Sequence, residues 1–204
     1  MNFFNQLAGN YDIVSYKSAT LDLGDTQSVG EKSLTYGQET IEEIIALAKA
    51  KGLKKIAFNL ESHQTMEELV AEEKKFYEMV KPYGIEATFA PTVVILAENM
   101  NNYGGSFALY ADVLGLQSQR YQLEPDYEKI VEDLIYKIKQ VNPKVKVNVQ
   151  VSVNPPAKRD ITAAEVIANI EAIKDKADGI RIFYSPASAG RTEVMEEVFR
   201  YFRG

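Results

Sequence analysis

Residues 144–153 carry the pattern that most limits the fold of this chain. Valine occupies every second position, while Lys146, Asn148, Gln150 and Ser152 occupy the positions between. Strict alternation of this kind predicts a β-strand with one apolar face and one polar face. A central strand of an open doubly wound sheet is covered by helices on both faces and is apolar on both. A parallel strand with one polar face instead fits a barrel, in which the valines face outer helices and the polar side chains face the axis.

Five other strand-like segments alternate with helix-like segments along the 204 residues. Because each helix returns the chain to the same end of the sheet, this succession predicts parallel strands. We expect one α/β domain over residues 1–204, folded as a TIM-like parallel β/α barrel that is shortened or incomplete, with about six strands. A standard barrel has eight strands and about 250 residues. The predicted strands are 11–19, 54–61, 85–96, 111–122, 144–153 and 178–185, with a long polar loop at 20–38.

Capping signals mark the predicted helices. Thr65 with Glu68, and Thr162 with Glu165, have the spacing of a capping box. Pro125 opens a helix that the Asn-Pro pair at 142–143 ends. The glutamate-rich helix faces, such as 67–73, are predicted to be solvated surface.

Amide side chains recur on the polar faces of three predicted strands. In 54–61, Asn59 and Glu61 lie opposite the apolar residues, and in 111–122 the pair Gln117 and Gln119 does the same. Amides donate and accept hydrogen bonds, which suits a neutral polyhydroxylated ligand at the carboxyl ends of the strands. The alternative is a buried amide network that bonds only to itself and water. The predicted ligand-binding residues are Asn59, His63, Gln117, Gln119, Asn148, Gln150, Ser152 and Tyr184.

Several stretches together carry a resemblance. The strand "DVLGLQSQRYQ", the helix ending "VNP" before "KVKVNVQVSVNP", and "ADGIRIFYS" resemble a loosely defined group of uncharacterised TIM-barrel-like proteins. The resemblance covers about 111–185, roughly half of the chain. It implies a barrel fold whose wider neighbourhood includes glycoside hydrolases, which is an analogy of fold.

Two carboxylates are candidates for catalysis, Glu61 and Glu98. Glycoside hydrolysis uses two carboxyl groups about 5–9 Å apart, one of them with a raised pKa. Glu61 ends an inward-facing set of residues, whereas Glu98 is predicted to lie in a loop. The strand 111–122 ends in glutamines rather than an acid, and glutamine does not exchange protons, so this departure weakens the hydrolase hypothesis.

Metal and anion sites have weaker support in the sequence. His63 is the single histidine, and one histidine without a fixed companion is more often structural than a ligand, so we expect no metal and no cofactor. Arg191 precedes the last predicted helix and could hold an anion there, although a plain strand-to-helix connection fits the segment better.

Composition excludes several classes of partner. The net charge is −6 and no block of Lys or Arg occurs, so we expect no nucleic-acid partner. The absence of cysteine excludes disulfides and thiolate metal sites. No apolar run reaches 18 residues and the first residues lack the features of a signal peptide, so we expect a soluble chain without a membrane partner, in a compartment that the sequence does not identify.

These patterns favour a carbohydrate-active, glycoside hydrolase-like enzyme with an amide-rich cavity at the barrel mouth and a small polar or carbohydrate ligand. Two alternatives stay open. The first is a non-catalytic module that binds a polar ligand through the same amides. The second is a structural or interaction domain that a partner chain, such as a second copy in a homo-oligomer, completes, because a low strand count leaves a sheet edge to cover.

Overall fold

The computed structural model describes residues 13–17, 31–36, 40–58, 65–156, 159–183 and 191–203, the first two ranges as backbone only. The strands in these ranges are β1 (Ile13–Lys17), β2 (Glu31–Tyr36), β3 (Lys55–Phe58), β4 (Glu86–Phe89), β5 (Val113–Gln117), β6 (Lys146–Ser152) and β7 (Gly179–Phe183). The α-helices are α1 (Ile41–Ala50), α2 (Met66–Val80), α3 (Val93–Asn102), α4 (Tyr127–Val141), α5 (Ala163–Ile173) and α6 (Thr192–Arg203).

The strands follow one another in the sheet in chain order, from β1 to β7. The pairs β1–β2, β2–β3, β3–β4 and β6–β7 are parallel. Crossovers between parallel strands are right-handed, so an order without reversal carries every helix to the same face of the sheet. A doubly wound sheet reverses its strand order and has helices on both faces. The observed order is therefore that of a β/α barrel.

The chain divides into two compact units. The first unit comprises residues 1–90 with 110–113, and the second comprises 91–109 with 114–204. The single domain over residues 1–204 stays a prediction.

Aromatic side chains form the core of the first unit. Phe58 of β3 stacks on Phe76 of α2 with 5.2 Å between ring centroids, and it lies 5.5 Å from Phe89 of β4. Phe58 and Phe89 are register partners in the parallel pair, so both point to the same face of the sheet. The apolar face of α2 packs on this cluster and anchors the helix to the two strands.

An aspartate immediately before a strand ties that strand to another one in both units. In the first unit, Asp112 Oδ2 accepts from Ala87 N at 2.9 Å and Oδ1 accepts from Lys81 Nζ at 2.8 Å. In the second unit, Asp178 Oδ2 accepts from Val147 N and from Lys139 Nζ, both at 2.7 Å. Each aspartate follows an alanine, so "AD" before a strand is a repeated structural motif of this chain.

Three element predictions are wrong. Residues 31–36 form β2, although 20–38 is predicted to be a loop. The local hydrophobic pattern of this segment is weak, and pairing with β1 and β3 stabilises the strand instead. The predicted strand 85–96 stops at Phe89, and the β-branched run from Val93 is helical because the Thr92 side chain caps Ile95 N at 3.4 Å. The predicted strand 111–122 ends at Gln117, and 119–121 forms a 3-10 turn.

The two predicted capping boxes are confirmed, whereas the helix predicted to open at Pro125 begins at Tyr127. Both capping boxes are present, Thr65 with Glu68 before α2 and Thr162 with Glu165 before α5. A third box, Thr40 with Glu43, opens α1. The solvated face predicted for 67–73 is wrong at Glu73, which is buried in the apolar face of α2. No helix in the described ranges has both the length and the apolar character needed to span a bilayer.

Candidate functional site

The two faces of β6 differ as the alternation of its sequence predicts. The valines from Val145 to Val153 are at most 1% exposed and pack in the core of the second unit. Gln150 is in register with Arg181 of β7, and Asn148 is in register with Gly179, so these residues share the opposite face. That face carries the polar side chains, and the site is built on it.

Three glutamines on this face form a hydrogen-bonded chain, which we call the glutamine row. Gln150 Nε2 donates to Gln119 Oε1 at 3.4 Å, and Gln119 Nε2 donates to Gln117 Oε1 at 3.3 Å. Gln117 and Gln150 are 8% and 7% exposed, and Gln119 is half-buried. Gln117 ends β5 and Gln150 lies two residues before the end of β6, so the row is near the carboxyl ends of both strands, where β/α barrels bind their ligands.

Buried polar residues hold the turn after β5 against β6. Ser118 N and Oγ both donate to Gln150 O, at 3.1 and 2.9 Å. The Gln122 side chain accepts from Ser152 N at 2.7 Å and donates to Ser152 O at 2.9 Å. It thereby replaces the backbone hydrogen bonds that a neighbouring strand would form with Ser152. These bonds fix Gln119, which lies between Ser118 and Gln122, beside the strand that carries Gln150.

Tyr127 supports the same turn from α4. Its hydroxyl group lies 3.0 Å from Ser118 Oγ. Burial raises the pKa of Tyr127 to about 12, and the hydrogen bond with Ser118 opposes this rise. The phenol is therefore neutral at physiological pH and serves as a positioning group for the turn.

Asn148 reaches over β7 because its neighbour there is glycine. A Cβ atom on Gly179 would come within 2.7 Å of Asn148 Oδ1, so a larger residue at 179 would displace the amide. Asn148 is half-buried and adds a fourth amide to the face, next to the row.

Arg181 lies on this face as well. Among the described residues of β6 and β7, it is the one cationic residue whose side chain has no partner. It lies in the middle of β7, beside Gln150, and is half-buried. Among the described residues it has no ion-pair or hydrogen-bond partner, and burial lowers the pKa of Arg181 because it disfavours the charged form. Perturbed groups of this kind cluster at functional sites.

The structure brings together some of the predicted site residues and not others. Gln117, Gln119, Asn148 and Gln150 lie on the shared face, and Ser152 is buried beneath it with its backbone bonded to Gln122. The predicted residues that lie outside the described ranges are Asn59, Glu61, His63 and Tyr184.

The predicted placement of Glu98 in a loop is wrong. It lies on the exposed side of α3, whose buried residues are Val93, Leu96 and Asn99. Asn99, not Glu98, organises the loop that follows: its side chain donates to Ser106 Oγ at 2.9 Å and accepts from Phe107 N at 3.2 Å.

Arg191 already has a partner, which weakens it as an anion site. Its guanidinium pairs with Asp160 and donates to Ile161 O at 3.2 Å. Over the described residues, His, Asp and Glu side chains form no group of three that could bind a metal ion.

Sequence reasoning missed Ser118, Gln122 and Arg181. Ser118 and Gln122 act through a turn that the pattern did not separate from the strand before it. Arg181 stood at a polar position of "DGIRIFYS", between two isoleucines. A charged residue in the middle of an otherwise apolar strand was the indication available.

Comparison with known proteins identifies a fold. No protein-family model and no curated protein sequence matches the chain. Among solved structures, active domain 2 of the chitinase from Pyrococcus furiosus matches with a TM-score of 0.58 at 14% identity, over 86% of this chain and 75% of that one. The YdjI aldolase from Escherichia coli K12 matches with a TM-score of 0.56 at 10% identity, over 98% and 79%.

The spore cortex-lytic enzyme SleL from Bacillus megaterium QM B1551 also matches, with a TM-score of 0.54 at 10% identity over 75% of this chain. The chain spans 56% of that enzyme's length. At such identities, the likeness establishes the fold alone. The chain is an α/β protein with the fold of an incomplete TIM-like β/α barrel, as the alternation in β6 predicts.

Proposed function

We propose that the glutamine row binds a polyhydroxylated ligand, and that this chain is a carbohydrate-active protein. The hydrogen-bonding capacity left in the row supports this proposal. Each primary amide has two N–H donors and a carbonyl oxygen that accepts. The second N–H groups of Gln119 and Gln150 have no partner in the described structure. Sugar hydroxyls donate and accept in the same way, so they match this surface.

Carbohydrate-processing neighbours add support at the level of fold. A chitinase and a spore cortex-lytic enzyme share the strand arrangement, and barrels of this type bind ligands at the carboxyl ends of their strands. An aldolase shares the fold as well, so the argument for a sugar rests on the amides and not on the neighbours.

Binding is tested by titrating the protein with neutral tetrasaccharides, chitotetraose and cellotetraose. We expect saturable binding that Gln119→Leu weakens about tenfold, since a lost hydrogen bond and an unpaired polar group cost roughly 1–2 kcal/mol. Gln140→Leu is the matched control, because Gln140 is exposed on α4. Binding that survives Gln119→Leu unchanged would count against the row as the site.

Glycoside hydrolysis is the more specific form of the proposal, with Glu61 as its acid/base or nucleophile. Glu61 follows β3 by three residues, and catalytic groups of β/α barrels come from the ends of strands. The polar side chains described on the face of the row include no carboxylate, and Glu98 is exposed on α3. The non-catalytic alternative therefore has an observation in its favour, and the two forms make different predictions for Glu61.

The variant Glu61→Gln separates the two forms. If the protein hydrolyses a tetrasaccharide that it binds, Glu61→Gln is expected to lower kcat by at least about 100-fold, in the range of general acid–base catalysis, and to leave Kd unchanged. Glu98→Gln is the comparison for an exposed glutamate. Full turnover by Glu61→Gln would exclude Glu61 from catalysis. Binding without turnover in the wild type would establish a binding module.

A further inference from the structure

Arg181 lies directly beside the glutamine row and has no counter-ion in the part of the chain that the structure describes. It is the register partner of Gln150, and neighbouring strands are about 4.8 Å apart, so a ligand on the row also reaches Arg181. Its guanidinium has neither an ion pair nor a hydrogen bond within the described structure. The row and the cation thus form one surface.

A partly buried arginine side chain is energetically unfavourable unless an anion pairs with its guanidinium. Partial burial removes water from the guanidinium, and an uncompensated charge in a protein interior destabilises the fold. Three other arginines of the same unit have acidic partners: Arg159 pairs with Glu165, Arg191 with Asp160 and Arg200 with Glu196, while Arg120, which has no such partner among the described residues, is exposed to water. Arg181 departs from them at the very position where it faces the row.

We propose that Arg181 binds the carboxylate of an acidic sugar while the glutamine row binds the hydroxyl groups of the same ring. This inference rests on the proposed carbohydrate function and adds the charge of the ligand to it. The planar guanidinium donates two parallel hydrogen bonds to a carboxylate, and a phosphate ester offers similar oxygens. The shared chemistry is an anionic group on a polyhydroxylated ring.

Nuclear magnetic resonance titrations with three small ligands test the proposal on the wild-type chain. The ligands are glucuronate, the methyl ester of glucuronate and glucose 6-phosphate. We expect glucuronate to bind about tenfold or more tightly than its methyl ester, because the carboxylate accepts charge-assisted hydrogen bonds from the guanidinium and the neutral ester does not. Tighter binding of glucose 6-phosphate than of glucuronate would assign the anion to phosphate; equal binding would assign it to anionic rings in general.

Variants locate the effect at Arg181. Arg181→Gln is expected to bind glucuronate and its methyl ester with equal affinity. Arg181→Lys is expected to retain part of the difference in affinity, because lysine keeps the charge but lacks the two parallel N–H donors of the guanidinium. Arg200→Gln, an exposed change of the same net charge, is the control and is expected to behave as the wild type. Thermal unfolding provides a readout without ligand: Arg181→Gln is expected to be at least as stable as the wild type.

Two results would overturn the inference. One is equal affinity of the wild type for glucuronate and its methyl ester, which requires no variant to fold. The other is an unchanged preference for glucuronate in Arg181→Gln. If either occurs while neutral tetrasaccharides bind and Gln119→Leu weakens them, the proposed function stands without the anion. If no sugar binds, both the inference and the proposed function fail.

Discussion

Glu73 puts a carboxyl group into the buried face of α2. The other buried positions of that helix are Met66, Leu69, Phe76 and Val80. Neither carboxyl oxygen of Glu73 has a hydrogen-bond partner in the described structure, and burial raises the pKa of Glu73 well above its ordinary value of 4.5. The side chain is therefore held in its neutral form over a range of pH in which the unfolded chain carries the charge.

Glu73→Met is expected to stabilise the protein at pH 7 by about 1–3 kcal/mol. Folding of the wild type takes up a proton above about pH 4.5, so its free energy of unfolding falls as the pH rises from that value towards the folded pKa of Glu73. The gain from Glu73→Met is thus largest at neutral pH and smaller at pH 4. Urea unfolding at several pH values measures it, with the exposed Glu78→Gln as control; a gain independent of pH would contradict the account.

Gln122 links a turn to a strand through its side chain alone. Gln122→Ala removes two hydrogen bonds to Ser152 and leaves a buried N–H and a buried C=O unpaired. We expect a loss of roughly 2–4 kcal/mol in the free energy of unfolding, since each unsatisfied buried group costs about 1–3 kcal/mol. Gln140→Ala on the exposed face of α4 is the control. Equal stability of the two variants in chemical denaturation would show that the turn does not depend on Gln122.

At the scale of elements, Asp178 connects β7 to the start of β6. Burial acts to raise the pKa of Asp178, but hydrogen bonds from Lys139 and Val147 N more than offset it and lower the pKa. Asp178→Asn is expected to destabilise the protein by roughly 1–2 kcal/mol at pH 7, a modest value because the side chain is partly exposed. The stabilisation is present above about pH 4 and lost as the pH falls further, since the folded carboxyl group then takes up its proton. Unfolding measured from pH 3 to 7, with Asp133→Asn as control, tests this, and a difference from wild type that persists unchanged at pH 3 would contradict it.

The alternation in β6 was predictable because side-chain direction in a strand has a period of two and depends on nothing distant. The capping boxes were predictable for a similar reason, since their partners are three residues apart. By contrast, β2 depends on pairing with two neighbouring strands, and the start of α3 depends on one side-chain cap that overrides a β-branched run. Neither factor is present in the local hydrophobic pattern.

The residues of the candidate site also differ in how far the sequence alone could predict them. Gln117 and Gln150 could be predicted together because each follows from the alternation of its own strand. The grouping of Gln119 with them depends on a predicted strand that ends at Gln117 in the structure, and the turn after β5 holds Gln119 beside Gln150 instead. For Arg181 the sequence shows only a charge between two isoleucines, because its significance lies in its register with Gln150 and in the lack of a counter-ion among the described residues. Both properties arise only when β6 and β7 pair.

At the scale of the whole molecule, the strand order connects sequence to function. The strands follow one another in the sheet in chain order, which is the order of a β/α barrel, and in the second unit the polar side chains of β6 and β7 lie on the face opposite the buried valines. An oligomer that covers a sheet edge stays a prediction. The central claim is that the polar face of β5 to β7 is a binding surface and not a self-contained amide network.

The most direct test follows the side-chain NH₂ signals of Gln119 and Gln150 by nuclear magnetic resonance during titration with chitotetraose, cellotetraose and glucuronate. At least one ligand is expected to shift both signals along one saturable curve. The side-chain NH₂ of Asn142, which donates to Ala108 O at 2.7 Å, is expected to stay unchanged. If every ligand leaves the signals of Gln119 and Gln150 in place, the glutamines bond only to one another and to water, and the account is contradicted.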